Sequence, residues 1–130
     1  MPEYTAELSL IIHQAASFAE ESKHRYLTAE HLLLFMLDTD FVEGLLTDFD
    51  IDIKVFKQLL REHLSECEIT NKGDSPIVTV TLDTLLKNAE LQSVSSDRKE
   101  IGVPQVFIEF FDLKESYAKY LLELSGLDKM

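Results

Sequence analysis

Leu8-Ser9-Leu10-Ile11-Ile12-His13-Gln14-Ala15 returns in pattern as Leu82-Asp83-Thr84-Leu85-Leu86-Lys87-Asn88-Ala89, a shift of 74 positions. The overlay runs without a gap from Leu8–Asp38 onto Leu82–Asp112. Identities are few: Leu8 meets Leu82, Ala15 meets Ala89, Ser22 meets Ser96 and Asp38 meets Asp112. The apolar pattern is the stronger sign, with Leu27 on Ile101 and Leu32-Leu33-Leu34 on Val106-Phe107-Ile108. After a two-residue insertion, Leu45-Leu46 falls on Leu121-Leu122 and Ile51-Asp52 on Leu127-Asp128. A duplicated unit of this size is one supersecondary block whose copies bury their apolar faces against each other. A pseudo-symmetric binding body is therefore expected rather than a single-site enzyme.

Within each copy the spacing is helical. Leu8, Ile11, Ile12, Ala15, Ala19 and Ser22 follow the rhythm of one buried helix face, over about Glu7–Lys23. Thr28 reads as the cap of a second, central helix, Ala29–Asp38, with Glu30 at its positive end. A third helix covers Phe41–Asp48. A fourth, Ile53–Glu66, is capped by Asp52 and turns Val55, Phe56, Leu59, Leu60 and Leu64 inward. Asn71-Lys72-Gly73-Asp74-Ser75-Pro76 marks a linker, and Ile77–Thr81 reads as an extended segment laid over the helices, without a strand partner. Thr81 is the expected cap of a helix over Leu82–Ser95. Gly102 and Pro104 start another that runs to Phe111. The last, Ser116–Leu124, directs Tyr117, Tyr120, Leu121 and Leu124 inward.

The expectation is an all-α domain over residues 1–130 built from two pseudo-symmetric four-helix repeats. Repeat one covers about 1–66, the linker about 67–80 and repeat two about 81–130. Ile51-Asp52 opens into a helix, whereas Leu127-Asp128 is followed only by Lys129 and Met130, so the eighth helix is expected to be truncated.

The 24 acidic residues against 12 Lys and Arg give a formal charge of −12. Such a surface repels phosphate backbones. Lys23-His24-Arg25 and Arg98-Lys99 are too short for a nucleic-acid footprint and read as solvated loops. The longest apolar run, Leu32–Leu37, is far too short to span a bilayer, and Met1-Pro2-Glu3-Tyr4 does not read as a secretion signal. Neither nucleic acid nor membrane is an expected partner. A single cysteine, Cys67, points to a reducing cytoplasm and reads as a bystander at a helix end.

The run Tyr26-Leu27-Thr28-Ala29-Glu30-His31-Leu32-Leu33-Leu34 resembles the signature of the Clp N-terminal repeat domain, in which a hydroxyl, a variable residue, Glu and His precede a leucine-rich helix. With Gly102-Val103-Pro104-Gln105 in the second copy, the likeness is to the ClpA type within that family. Relatives of the ClpC type repeat Glu-His in both copies and can read phosphoarginine through it. Pro104 stands at the second position here, so that activity is not expected. The resemblance implies the N-terminal domain of an AAA+ unfoldase, the regulatory subunit of a protease, that docks a ClpS-type adaptor and protein substrates. ATP and Mg would act in the downstream ATPase modules of the parent protein, and a ClpP-type protease would be reached through it. By resemblance Glu30 matches an acidic adaptor contact and Thr79 a hydroxyl contact. Arg25 stands where an acid is expected, and Thr84 where an arginine is expected. A free-standing adaptor or decoy with the same fold is the alternative.

No stretch reads G-x-x-x-x-G-K-[ST] or G-x-S-x-G, so neither a phosphate-cradling loop nor a serine nucleophile is recognisable. A metal enzyme would have to draw on Glu30 and the histidines His13, His24, His31 and His63, but H-E-x-x-H spacing is absent. Phe35, Met36, Phe107, Phe110 and Phe111 read first as core, with an apolar remnant between the copies as the place for peptide contact.

Overall fold

Hydroxyl and carboxylate side chains decide where most of the helices begin. The computed structural model describes residues 2–70, 73–114 and 116–127. Thr5 Oγ1 accepts from the backbone N–H of Leu8 and starts α1 (Ala6–Glu21). Thr28 starts α2 (Ala29–Met36), and Thr39 starts α3 (Asp40–Asp48). Asp52 accepts from the N–H groups of Lys54 and Val55 at the head of α4 (Ile53–Ser65). Each cap satisfies a donor that the first helical turn leaves without a partner. Thr79, not Thr81, starts α5 (Val80–Ser95): its Oγ1 accepts from Leu82 N–H. Thr81 is the second residue of that helix, within its first turn. A five-residue α6 (Val103–Phe107) continues as a 3₁₀ turn over Ile108–Asp112, and α7 (Tyr117–Leu124) starts at Ser116.

Among the described residues four two-residue strands tie the copies together, and here the expectation of an unpaired Ile77–Thr81 segment is corrected. Strand β1 (Glu3–Tyr4) pairs in parallel with β4 (Glu100–Ile101), in the register Glu3 to Glu100 and Tyr4 to Ile101. Strand β2 (Tyr26–Leu27) pairs in parallel with β3 (Ile77–Val78), Tyr26 to Ile77 and Leu27 to Val78. Under the 74-residue shift, β1 becomes β3 and β2 becomes β4. Each repeat therefore lends its first strand to the other repeat's second. The bond Thr5 N–H to Ile101 C=O recurs as Thr79 N–H to Leu27 C=O.

The duplication also holds at strained positions. Lys23 and Asp97, equivalent under the shift, take φ of 59° and 55°, a region that non-glycine residues rarely enter. After the insertion, Asp50 (φ 58°) corresponds to Gly126 (φ 95°). The equivalences reach back to Ile77, into the stretch read from sequence as linker. Asn71, Lys72 and the chain end at Asp128–Met130, where a truncated eighth helix was expected, lie outside the described residues.

Helix α2 is the centre of the body, packed against α1, α4, α5, α6 and α7. Seven of its eight residues are buried, Glu30 and His31 among them. Two helices bury narrower faces than the sequence indicates. In α4 the stripe is Phe56, Leu60 and Leu64, four residues apart, and Val55 and Leu59 are exposed on its flank. In α7 Ala118, Leu121 and Leu122 face the core, which turns Tyr120 and Leu124 outward.

Thr79→Ala should lower unfolding stability by about 1 kcal/mol, because a cap is lost, whereas Thr81→Ala should change it by less than about 0.5 kcal/mol. Urea denaturation of the two variants checks which threonine starts α5.

Candidate functional site

The Thr28–Leu34 stretch at the head of α2 is built largely into the core. Glu30 Oε2 accepts from the Ser116 hydroxyl at 2.9 Å and from the backbone N–H of Ala118 at 3.0 Å. Its negative charge thus sits at the positive end of α7 and joins the first repeat to the second. An adaptor contact through Glu30 would need an exposed edge, but the residue is 9 % exposed and its carboxylate is bonded to Ser116 and Ala118.

Next to it is a histidine pair that sequence reading did not assemble. His24 Nδ1 lies 2.8 Å from His31 Nε2, and both side chains are buried. The loop reading of Lys23-His24-Arg25 is corrected at its middle residue. Thr28 N–H donates to His31 Nδ1 at 3.0 Å. A backbone N–H can only donate, so Nδ1 accepts and the neutral ring carries its proton on Nε2. That proton then points at His24 Nδ1. His31 also closes a capping box with Thr28, and in the second repeat Gln105 Oε1 takes the same place, accepting from Gly102 N–H at 2.8 Å. Burial, with smaller contributions from His24 and His63, lowers the His31 pKa from 6.5 to about 4, and burial lowers that of His24. Among the described residues, no three His, Cys, Asp or Glu side chains are grouped to hold a metal ion. Cys67, half-buried just beyond α4, has its thiol pKa raised by burial and by Glu30, the opposite of what activates a nucleophile.

The other sequence-predicted positions lie on the surface. Arg25 and Thr79 share the β2–β3 ladder, since Ile77 N–H donates to Arg25 C=O and Thr79 N–H to Leu27 C=O. Arg25 pairs with Glu68 at 3.2 Å, and its guanidinium lies 5.6 Å from the Tyr26 ring centre. Thr79 is half-buried because its hydroxyl caps α5, while Thr84, on α5, is exposed. Around them Tyr26, Ile69, Ile77 and Val78 are exposed, and Val80 is 83 % exposed. This apolar, hydroxyl-dotted surface was missed because a two-residue strand has no periodicity that tells an outward valine from an inward one.

The pattern of these elements has counterparts among known proteins. A profile of the family described as the Clp repeat (R) N-terminal domain matches residues 3–125. The chain belongs to the Clp N-terminal repeat family. It is 26 % identical over 127 residues to a ClpA homolog protein of Fuscovulum blasticum, covering 95 % of this chain and 16 % of that protein. The chain thus spans about a sixth of that relative's length. The Hsp104 N-terminal domain of Candida albicans superposes with a TM-score of 0.84 at 15 % identity, over 97 % of this chain and 83 % of that one. A ClpV N-domain in complex with a VipB peptide gives 0.77 at 24 % identity, over 97 % and 79 %. These likenesses establish a shared fold. Among the described residues no helix is long and apolar enough to cross a membrane.

Two predictions follow the buried polar cluster. Glu30→Ala leaves Ala118 N–H and Ser116 without their acceptor, so stability should fall by roughly 1.5–3 kcal/mol, with hydrogen exchange at Ala118 accelerating first. The histidine pair sets a pH dependence. An unfolded His31 takes up a proton below about pH 6.5, whereas the folded one does so only near 4. Stability is therefore complete above that window and is lost as pH falls through it, by on the order of 3 kcal/mol. His31→Gln, which keeps the cap as Gln105 does, should remove most of this slope in denaturant titrations at pH 4–7.

Proposed function

We propose that this chain is the non-enzymatic, partner-docking N-terminal domain of a ClpA-like AAA+ unfoldase, working in the cytoplasm and binding a ClpS-type adaptor and protein substrates. The observation that carries the reading is the surface around β2 and β3, where exposed Tyr26, Ile77, Val78 and Val80 surround Thr79 and Arg25 beside the buried Glu30 signature. Apolar area with a polar, partly charged rim is the make-up of a protein interface. Membership of the Clp N-terminal repeat family and the peptide held by a ClpV N-domain support it. ATP and Mg chemistry, and engagement of a ClpP-type protease, belong in this reading to other modules of a longer protein, in keeping with the relative of which this chain matches 16 %.

Glu30 and Thr79 enter this function through the fold. Glu30 holds α7 and Thr79 starts α5, so each fixes the surface that a partner meets. Arg25 adds a positive charge to that surface, and Thr84 leaves its own position neutral. Rim charges of this kind govern choice of partner more than total affinity.

Calorimetric titration with a ClpS-type adaptor tests the proposal. Val80→Asp should weaken binding by about tenfold or more, because a desolvated contact would become a buried charge. Thr79→Ser, which keeps the cap, should leave binding intact. Arg25→Glu combined with Thr84→Arg, the charges that the family resemblance implies, should change the affinity while leaving the melting temperature close to that of the parent. Absence of binding to any adaptor or partner-derived peptide at high protein concentration would overturn the proposal.

A further inference from the structure

The duplication builds the docking ladder twice. Pro2-Glu3-Tyr4-Thr5 and Pro76-Ile77-Val78-Thr79 are equivalent under the 74-residue shift. Glu3 N–H donates to Lys99 C=O at 3.1 Å, as Ile77 N–H donates to Arg25 C=O at 2.9 Å. Thr5 then caps α1 through Leu8 N–H at 3.1 Å, as Thr79 caps α5 through Leu82 N–H at 3.2 Å. Both ladders are parallel, and both first strands are exposed. A partner that reads backbone shape and helix entry would therefore find two seats on one domain.

The side chains differ in one consistent way. The register pair Tyr26–Ile77 of one ladder is Glu100–Glu3 in the other. Tyr4, the counterpart of Val78, has its phenol pKa raised by burial and then by Glu90 and Asp83 of α5. Under the shift those two acids correspond to Ala16 and Ser9. Four carboxylates thus lie on or beside the β1–β4 ladder, at positions whose equivalents around β2–β3 carry none. Glu3 and Glu100 are exposed, and among the described residues neither forms an ion pair. Like charges side by side across a ladder weaken it, so folding alone does not account for the pair.

We infer that Glu3 and Glu100 decide which of the two ladders a partner takes: they close β1–β4 to the apolar partner that β2–β3 receives. The inference rests on the docking surface proposed above. Seating an apolar face on β1–β4 strips water from two adjoining carboxylates and supplies no counter-charge, which is strongly unfavourable. On β2–β3 the same approach covers Tyr26, Ile77 and Val80, and Arg25 stays paired with Glu68. A repulsive group on the wrong seat fixes the choice as effectively as a good contact on the right one.

The test is a backbone NMR titration of the labelled chain and its variants with a ClpS-type adaptor. All substituted positions are exposed, and melting curves verify that each variant folds. In the unaltered chain, shifts should follow β2, β3 and the head of α5 alone. Ala6 is the counterpart of Val80, so the variant Glu3→Ile, Ala6→Val, Glu100→Tyr carries the first ladder's residues on the second. It should add a second saturable set of shifts along β1, β4 and the head of α1, at adaptor concentrations within about tenfold of the first. Ala6→Val by itself should add none. The reverse exchange, Tyr26→Glu with Ile77→Glu, should weaken binding at β2–β3 by about tenfold or more. Shifts on both ladders of the unaltered chain or of Ala6→Val, or a triple variant without the second set, would overturn the inference and leave the β2–β3 docking surface standing. Absence of binding, or binding that the reverse exchange does not weaken, would overturn that docking surface and the inference with it.

Discussion

Neither repeat of this domain can finish itself. Among the described residues, the first strand of each copy pairs with the second strand of the other copy, and this reciprocal exchange fixes the entry of α1 and α5 and the starts of both second helices. Strands of two residues would not persist alone. They persist because Thr5 and Thr79 turn directly from strand into helix cap, so that ladder and helix start share a single residue. Glu30 adds a third tie: a carboxylate from the first repeat satisfies the head of α7 in the second. Burying a charge is unfavourable unless it is well bonded, and here two donors and a helix terminus meet it.

That economy explains why the family signature is structural before it is functional. Thr28, Glu30 and His31 each complete a hydrogen-bonding need at a buried helix start. The second repeat answers the same needs with different residues. Gln105 replaces His31 in the capping box, and Pro104, with no N–H of its own, sits within the first turn of α6 where Glu30 sits in α2. The surface that remains for partners is what these interior bonds hold in place.

Much of the fold was legible in the sequence. The 74-residue overlay holds from β1 and β3 through the starts of α2 and α6, down to the positive φ of Lys23 and Asp97, because a duplicated chain keeps its backbone turns even where side chains diverge. Thr28 and Asp52 were readable as caps, since capping is a local interaction. The strands were not readable, because their partners lie in the other repeat and two residues carry no alternation. Thr81 competes with Thr79 for the same reason: without the strand, the helix start has two candidate hydroxyls. Val55, Leu59, Tyr120 and Leu124 read as inward because helical spacing gives a broad apolar arc, while packing selects the part of it that meets a neighbour. The partners of Glu30 and the His24–His31 pair depend on tertiary approach over long or turning stretches of chain.

The account comes down to one interlocked body whose β2–β3 ladder presents the docking surface. A backbone NMR titration of the labelled chain with a ClpS-type adaptor tests this most directly. The account predicts shifts along β2, β3 and the head of α5. A spectrum that the adaptor leaves unaltered, or one in which only residues away from this ladder move, would contradict it.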